Sequence, residues 1–290
     1  MDATPSHTAR KGAGATAGAR GGSVGKARPF LKWAGGKRQL LPAIRAALPK
    51  ISRAYFEPFV GGGAVFFDLE PRRAVLSDAN AELINCYAAV RDNVDALIRA
   101  LRGHVYDRDY YYRIRALSPD SLDEVERAAR TIYLNKTGFN GLYRVNSKGV
   151  FNVPFGRFKN PNICDEPTLR ACSARLAGVE VRCRPFDAVL DDAAAGDFVY
   201  FDPPYIPLSK TSYFTAYNDL KFDLDDQERL ARVFERLADR GVRVMLSNSD
   251  VGWVRERYAR YAPKSVFAPR SVNSVVSARG LVRELLVTSY

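Results

Sequence analysis

The chain has 290 residues, 47% of them hydrophobic and 26% charged, enough apolar material to bury a substantial core and to exclude an intrinsically disordered protein. A formal net charge of +12 points to a polyanionic partner, with nucleic acid ahead of an anionic membrane surface. No apolar run approaches the roughly 18 to 20 residues of a membrane span, and the N-terminus lacks the apolar core of a secretory signal, so a cytoplasmic location is expected.

In chain order, residues 1 to 28 come first, rich in Gly, Ala, Ser and Thr. They carry Arg10, Lys11, Arg20, Lys26 and Arg28 against Asp2 alone, which predicts a disordered basic tail that loosely attracts phosphates. Within it "RGGSVGKA" imitates a phosphate-binding loop but has Arg20 at the first glycine position and Ala27 in place of Ser or Thr, so it is rejected. From Pro29 onward, strand-like runs alternate with helix-like ones at both ends of the chain. Seven candidate strands are "AYFEPF", "AVLSD", "VEVRC", "DFVYFD", "VRVML", "KSVFA" and "RELLVTSY". Between the fourth and fifth, "LDDQERLARVFERLADRG" places Leu230, Val233, Phe234 and Leu237 at helical spacing, with acids at its start and Gly241 after its end. This alternation predicts an α/β protein with a largely parallel, doubly wound sheet.

The middle reads differently. Three helices, "NVDALIRALRGH", "DYYYRIRAL" and "LDEVERAARTIYLN", precede "YRVNSKGVFNVPFG", a β-hairpin turning at Asn146 to Gly149. The predicted organisation is therefore a tail (1–28), a sheet domain in two pieces (29–87 and 173–290) and an insertion (88–172). Four cysteines, Cys86, Cys164, Cys172 and Cys183, form no CxxC pair, and His7 and His104 are the only histidines. Zinc-ligand spacing is absent, no metal is expected, and little material exists for a Ser-His-Asp triad.

Three motifs carry chemistry. "YFEPFVGGGAVFFDL" sets Gly61, Gly62 and Gly63 between a strand and a helix, where glycines let the backbone approach a ligand closely or simply make a tight connection. "AVLSDANAELI" ends a strand on Asp78, either an acid for ribose hydroxyls or the N-cap of the next helix. In "YFDPPY", Asp202 ends a strand, and Pro203 and Pro204 fix the backbone and remove two amide donors, leaving carbonyl acceptors. An acceptor-only pocket suits an exocyclic amino group: the Asp202 carboxylate and the Pro203 carbonyl would take its two hydrogens, and Tyr205 would stack on the base.

With these residues in view, the chain resembles the Dam-type DNA adenine methyltransferases from Phe30 to Tyr290, through "FLKWAGGK", "EPFVGGGAVF", "LSDANAELI", "YLNKTGFNGLYRVNSKGVFNVPFGRF", "YFDPPY" and "LSNSD" in that order. The resemblance implies a seven-stranded Rossmann-like methyltransferase sheet with an inserted helical DNA-recognition domain carrying a β-hairpin. It implies methyl transfer from S-adenosylmethionine to a flipped adenine in duplex DNA, with GATC as the suggested site and a monomer as the acting form. Trp33, Lys37, Phe59, Gly61, Gly63, Asp78 and Asp202 would bind the cofactor, while Asp202, Pro203, Pro204 and Tyr205 would form the catalytic pocket. Lys32, Phe139, Asn140, Leu142, Arg144, Pro154 and Arg157 would contact DNA, Arg144 by two hydrogen bonds to guanine and Phe139 as a wedge in the base stack. Against that wedge stands a reading of Phe139, Tyr143 and Phe151 as hairpin core. "RSVNSVVSARG" departs from the family's polar basic loop by carrying Val275 and Val276. Methylation of the cytosine amino group, or of adenine in RNA, uses the same acceptor logic, and a DNA-binding regulator without activity is the rival from another class.

Overall fold

The computed structural model describes Met1 and residues 25–206, 222–269 and 281–290, so most of the basic tail and the segment with Val275 and Val276 lie outside the described residues. Seven strands form one sheet: β1 (Tyr55–Glu57), β2 (Ala74–Asp78), β3 (Glu180–Cys183), β4 (Phe198–Phe201), β5 (Arg243–Ser249), β6 (Lys264–Pro269) and β7 (Leu281–Thr288). Each falls on an expected segment. The order is β3-β2-β1-β4-β5-β7-β6, parallel from β3 to β5, with β7 antiparallel to both β5 and β6.

Ten α-helices accompany the sheet among the described residues. They are α1 (Leu41–Ala46), α2 (Ala64–Leu69), α3 (Ala81–Asp92), α4 (Val94–Arg102), α5 (Arg108–Ala116), α6 (Glu124–Thr137), α7 (Glu166–Leu176), α8 (Val189–Asp192), α9 (Leu224–Asp239) and α10 (Gly252–Arg257). The start of α9 is set by a reciprocal capping box, in which the Asp223 carboxylate accepts from the Asp226 amide and Asp226 reaches back to the Asp223 amide. Gly241, just past its end, has φ +77, which a side chain would strain.

Alternation along the strands divides the core. Tyr55, Phe198, Tyr200, Met245 and Leu286 face one cluster, whereas Phe56, Val199, Phe201, Val244, Leu246, Leu285 and Val287 face the other. With both faces covered, strand side chains are buried on each side, which is why these runs read as continuously apolar. Leu230, Phe234 and Leu237 of α9 are fully buried against the second face, each stabilising by roughly 1.5–3 kcal/mol.

Helices α4, α6 and α7 bury Leu97, Ile98, Leu101, Ala128, Ala129, Ile132, Leu169 and Cys172 in the same cluster as the first sheet face. A smaller cluster of Tyr111, Tyr133, Leu134, Phe151 and Val153 underlies residues 138–156. There the chain turns where expected: the Gly149 amide donates to the Asn146 carbonyl at 2.9 Å. Pairing across the turn is an isolated bridge of Val145 with Phe151 rather than a continuous ladder. The reason is local, because the Asn146 side chain accepts from the amides of Lys148 and Val150.

Candidate active site

The connection sequence reverses direction between β1 and β4, which are neighbours in the sheet, so the loops leaving their carboxyl ends lie side by side. β1 runs into the glycine turn and β4 into Asp202–Ile206. In the turn, Gly61 has φ +48 and Gly63 φ +69. A Cβ on Gly63 would sit 2.5 Å from the Tyr87 hydroxyl, and one on Gly61 would sit 2.9 Å from Trp33 Cδ1. Gly63→Ala is therefore expected to destabilise the fold by about 1–3 kcal/mol, read as a lower urea midpoint; an unchanged midpoint would show that the turn relaxes freely.

Asp78 anchors this turn. Its carboxylate accepts from the Gly61 amide at 3.2 Å and the Asn80 amide at 3.0 Å. The N-cap of α3 is Asn80, whose side chain accepts from Leu83, so Asp78 does not have the capping role considered for it. Burial raises the Asp78 carboxyl above the ordinary aspartate range, and the amides pull it back. Trp33 packs against Gly61 and Gly62 and stacks on Tyr143, with ring centroids 5.2 Å apart. Phe59 is held among aromatic rings, stacked on Phe186 at 5.2 Å and edge-on to Phe222.

Asp202 lies at the centre of the charged groups. Lys37 Nζ is 2.7 Å from its Oδ1, and the Ser247 hydroxyl donates to the same oxygen at 3.1 Å. Among the described residues no hydrogen bond ends on its Oδ2. Burial raises the Asp202 carboxyl, while the Lys37 ammonium and the Ser247 hydroxyl lower it. Lys37 is itself buried, donates to the Gly35 carbonyl at 2.6 Å and sits 4.5 Å from the Tyr205 ring centroid. The Tyr205 hydroxyl donates to Glu284 of β7 at 2.5 Å. The two proline carbonyls differ. Pro204's accepts from the Gln227 side chain at 2.8 Å, whereas among the described residues nothing donates to Pro203's. Among the described residues, one carboxylate oxygen and one carbonyl, neighbours in sequence, thus remain as acceptors.

Several residues of the site were not singled out by sequence reasoning. Glu57, the last residue of β1, is 3% exposed and accepts from the Tyr55 hydroxyl at 2.8 Å. Burial pushes its carboxyl up to about 8, with Asp202 adding to the rise. An acid inside the apolar run "YFEPF" was the available signal. Ser247, Asn248, Gln227 and Glu284 also surround Asp202–Ile206, and only "LSNSD" marked any of them. Asn135 joins two regions by accepting from the Lys32 amide and donating to the Lys32 and Gly141 carbonyls.

The residues expected at DNA are exposed side chains, and two of them are joined directly through the backbone. The Phe139 amide donates to the Pro154 carbonyl at 2.9 Å, and Phe139, Asn140, Leu142, Arg144, Pro154 and Arg157 are all exposed. Phe139 is 50% exposed and Phe151 is 7% exposed, so the aromatic core role falls to Phe151, with Tyr143 half-buried on Trp33. Arg144 donates through Nε to the Asn152 side chain at 2.7 Å, which holds the guanidinium across the turn. Lys32 is exposed, its ammonium 5.2 Å from the Phe158 ring centroid.

Residues 33–275 match the model of the D12 class of N6 adenine-specific DNA methyltransferases. The Type II methyltransferase M1.LlaDCHI of Lactococcus lactis subsp. cremoris is 46% identical over 271 residues, covering 91% of this chain and 95% of that protein. The Type II methyltransferase M.MjaIII of Methanocaldococcus jannaschii is 44% identical over 286 residues, covering 91% and 99%. The DNA adenine methylase of Escherichia coli is 39% identical over 265 residues, covering 90% and 95%. The matched region takes in the glycine turn, the exposed surface around Arg144 and the acceptor loop after β4, and on that basis the chain belongs to the D12 class of N6 adenine-specific DNA methyltransferases.

Proposed function

We propose that the chain is a site-specific adenine methyltransferase that takes its methyl group from S-adenosylmethionine and places it on the N6 of an adenine turned out of duplex DNA, within GATC. The observation that carries this reading is a pair of acceptors to which nothing donates among the described residues, Asp202 Oδ2 and the Pro203 carbonyl, at the end of the strand next to a turn in which Gly61 and Gly63 have no room for a Cβ. It acts as a monomer in the cytoplasm.

The residues at the β1–β4 junction fit the methyl donor. Gly61 and Gly63 bring the backbone close, Trp33 offers an aromatic wall, Phe59 an apolar one, and Asp78 lies at the next strand end for ribose hydroxyls. Lys37 supplies positive charge beside Asp202. When bound, the donor would supply an electrophilic methyl carbon for in-line attack by the amine nitrogen, with the carbon–sulfur bond broken, the neutral thioether as leaving group and one amino hydrogen released to solvent as a proton.

The protein's task is to make a poor nucleophile attack. The adenine amino lone pair is delocalised into the ring, so its nitrogen is flat and weakly basic. Asp202 and the Pro203 carbonyl each accept one amino hydrogen, favour a pyramidal nitrogen and stabilise the positive charge that develops on it. Pro204 keeps the loop rigid, and Tyr205 stacks on the base with its hydroxyl held by Glu284. Lys37 and Ser247 occupy the other oxygen of Asp202 and fix the plane of its carboxylate.

Residues 88–172 would read the DNA. Phe139 fills the gap left by the departing base, offsetting an unstacking cost of about a few kcal/mol. Lys32, Asn140, Leu142, Pro154 and Arg157, all exposed, would add further contacts to the duplex. Arg144 reads guanine, and Asn152 presets its fork. Arg144→Ala is expected to lose about 1–3 kcal/mol of discrimination at one base pair, measured as kcat/KM on a panel of single-substituted sites. Equal weakening on every duplex would make it a phosphate contact instead.

The test of the whole reading is protection. DNA from a host expressing the chain is challenged with restriction enzymes that differ in sensitivity to methylated adenine at GATC. Protection is expected; methylated adenine at another sequence would overturn the site, and absence of methylated adenine the reaction.

A further inference from the structure

"LSNSD" aligns three consecutive side chains with the acceptor loop. Ser247 donates to Asp202, Ser249 donates to the Ile206 carbonyl at 2.6 Å, and Asn248 between them reaches Gln227 on α9. Gln227 is 1% exposed and Asn248 0%. Their amide directions are dictated by a group with no choice. The Ser249 backbone N–H is only a donor, and it lies 2.8 Å from Asn248 Oδ1. Asn248 must then point its NH2 at Gln227 Oε1, at 3.1 Å, and Gln227 must point its NH2 at the Pro204 carbonyl, at 2.8 Å. Donation thus runs in one direction, from a strand amide of β5 through two buried side-chain amides to one of the two proline carbonyls.

We propose that Gln227 is a positioning residue that selects which carbonyl meets the target amine: by holding the Pro204 carbonyl towards α9 it leaves Pro203 as the acceptor next to Asp202. Two neighbouring free carbonyls would offer the amine two competing poses, only one of which also reaches the Asp202 carboxylate. Satisfying Pro204 inside the protein removes the wrong pose and pins the loop to β5 and α9. Asn248 acts through Gln227, because it fixes the amide's direction. This inference rests on the adenine-amine reading of the loop.

Gln227→Glu tests it with nearly the same shape. The introduced carboxylate would accept from Asn248 but has no hydrogen for Pro204, so kcat at pH 8 should fall by about tenfold, while donor affinity, measured calorimetrically with S-adenosylhomocysteine, stays within about twofold. A protonated carboxyl regains a donor, so the deficit should shrink towards pH 6. Gln227→Leu, which has no donor at any pH, should show a deficit that does not shrink. Wild-type kcat in either variant at pH 8, or the same pH dependence in both, overturns the proposal. Wild-type protein that methylates no duplex would instead sink the adenine reading, so the two failures are separable.

Discussion

Asp202→Ala is expected to lower turnover on a methylatable duplex by about a hundredfold or more, with donor binding still measurable. The size follows from the carboxylate's position. Its Oδ1 is committed to Lys37 and Ser247, and among the described residues nothing donates to its Oδ2 or to the carbonyl of Pro203, the next residue. Deleting it removes one of two groups that stabilise the charge developing on the amine, and leaves Lys37, 5% exposed, without its partner. The orphaned ammonium would then repel the same developing charge. Asp202→Asn separates the two effects: it keeps an acceptor for Lys37 but turns an N–H towards the amine. Single-turnover rates with saturating donor read the chemical step. Wild-type rates in Asp202→Ala would exclude the residue from catalysis, and rates restored in Asp202→Asn would assign the loss to Lys37 rather than to the amine contact.

The second large effect is on stability and comes from Glu57. Its carboxyl is held at about 8 in the fold by burial, against an ordinary 4.5, so the native state keeps a proton that the unfolded chain releases over that interval. The unfolded state binds fewer protons there, and stability must fall as pH rises from about 4.5 to about 8. Each pH unit crossed is worth up to about 1.4 kcal/mol, so the whole interval amounts to a few kcal/mol. Glu57→Gln fills the same space, still accepts from the Tyr55 hydroxyl and has no proton to lose. Its urea-unfolding free energy should match or trail wild type at pH 5 and exceed it at pH 8.5. Parallel profiles for the two proteins would show that Glu57 ionises normally in the fold. The same acid lies near Asp202, whose charge contributes to the rise, so Asp202→Asn should lower the Glu57 carboxyl and flatten part of the slope.

Seven strands and α9 were legible because their signals are local. Period and β-branching mark strands such as "AVLSD" and "VRVML", and the stripe Leu230, Val233, Phe234, Leu237 with acids before it marks the helix. The antiparallel insertion of β7 between β5 and β6 was not legible, because strand direction depends on which edges meet and not on composition. Glu57 could be seen as an acid in an apolar strand, but its pairing with the Tyr55 hydroxyl could not. Gln227 looked like one more polar residue at the start of a surface helix, yet it is buried against Pro204.

The linear chain already carries the chemistry on offer: a glycine turn without side chains, a strand-end carboxylate followed by two prolines without amide donors, and a basic composition suited to a polyanion. Those are properties of residue types and survive any arrangement in space. Tertiary structure alone decided which groups are spent and which stay free. Lys37 and Ser247 take one oxygen of Asp202, Gln227 takes the Pro204 carbonyl, and Asn146 and Asn152 set the turn that carries Arg144. An acceptor lone pair used inside the protein is unavailable to a ligand, and only chain segments brought together by folding settle where each donor goes.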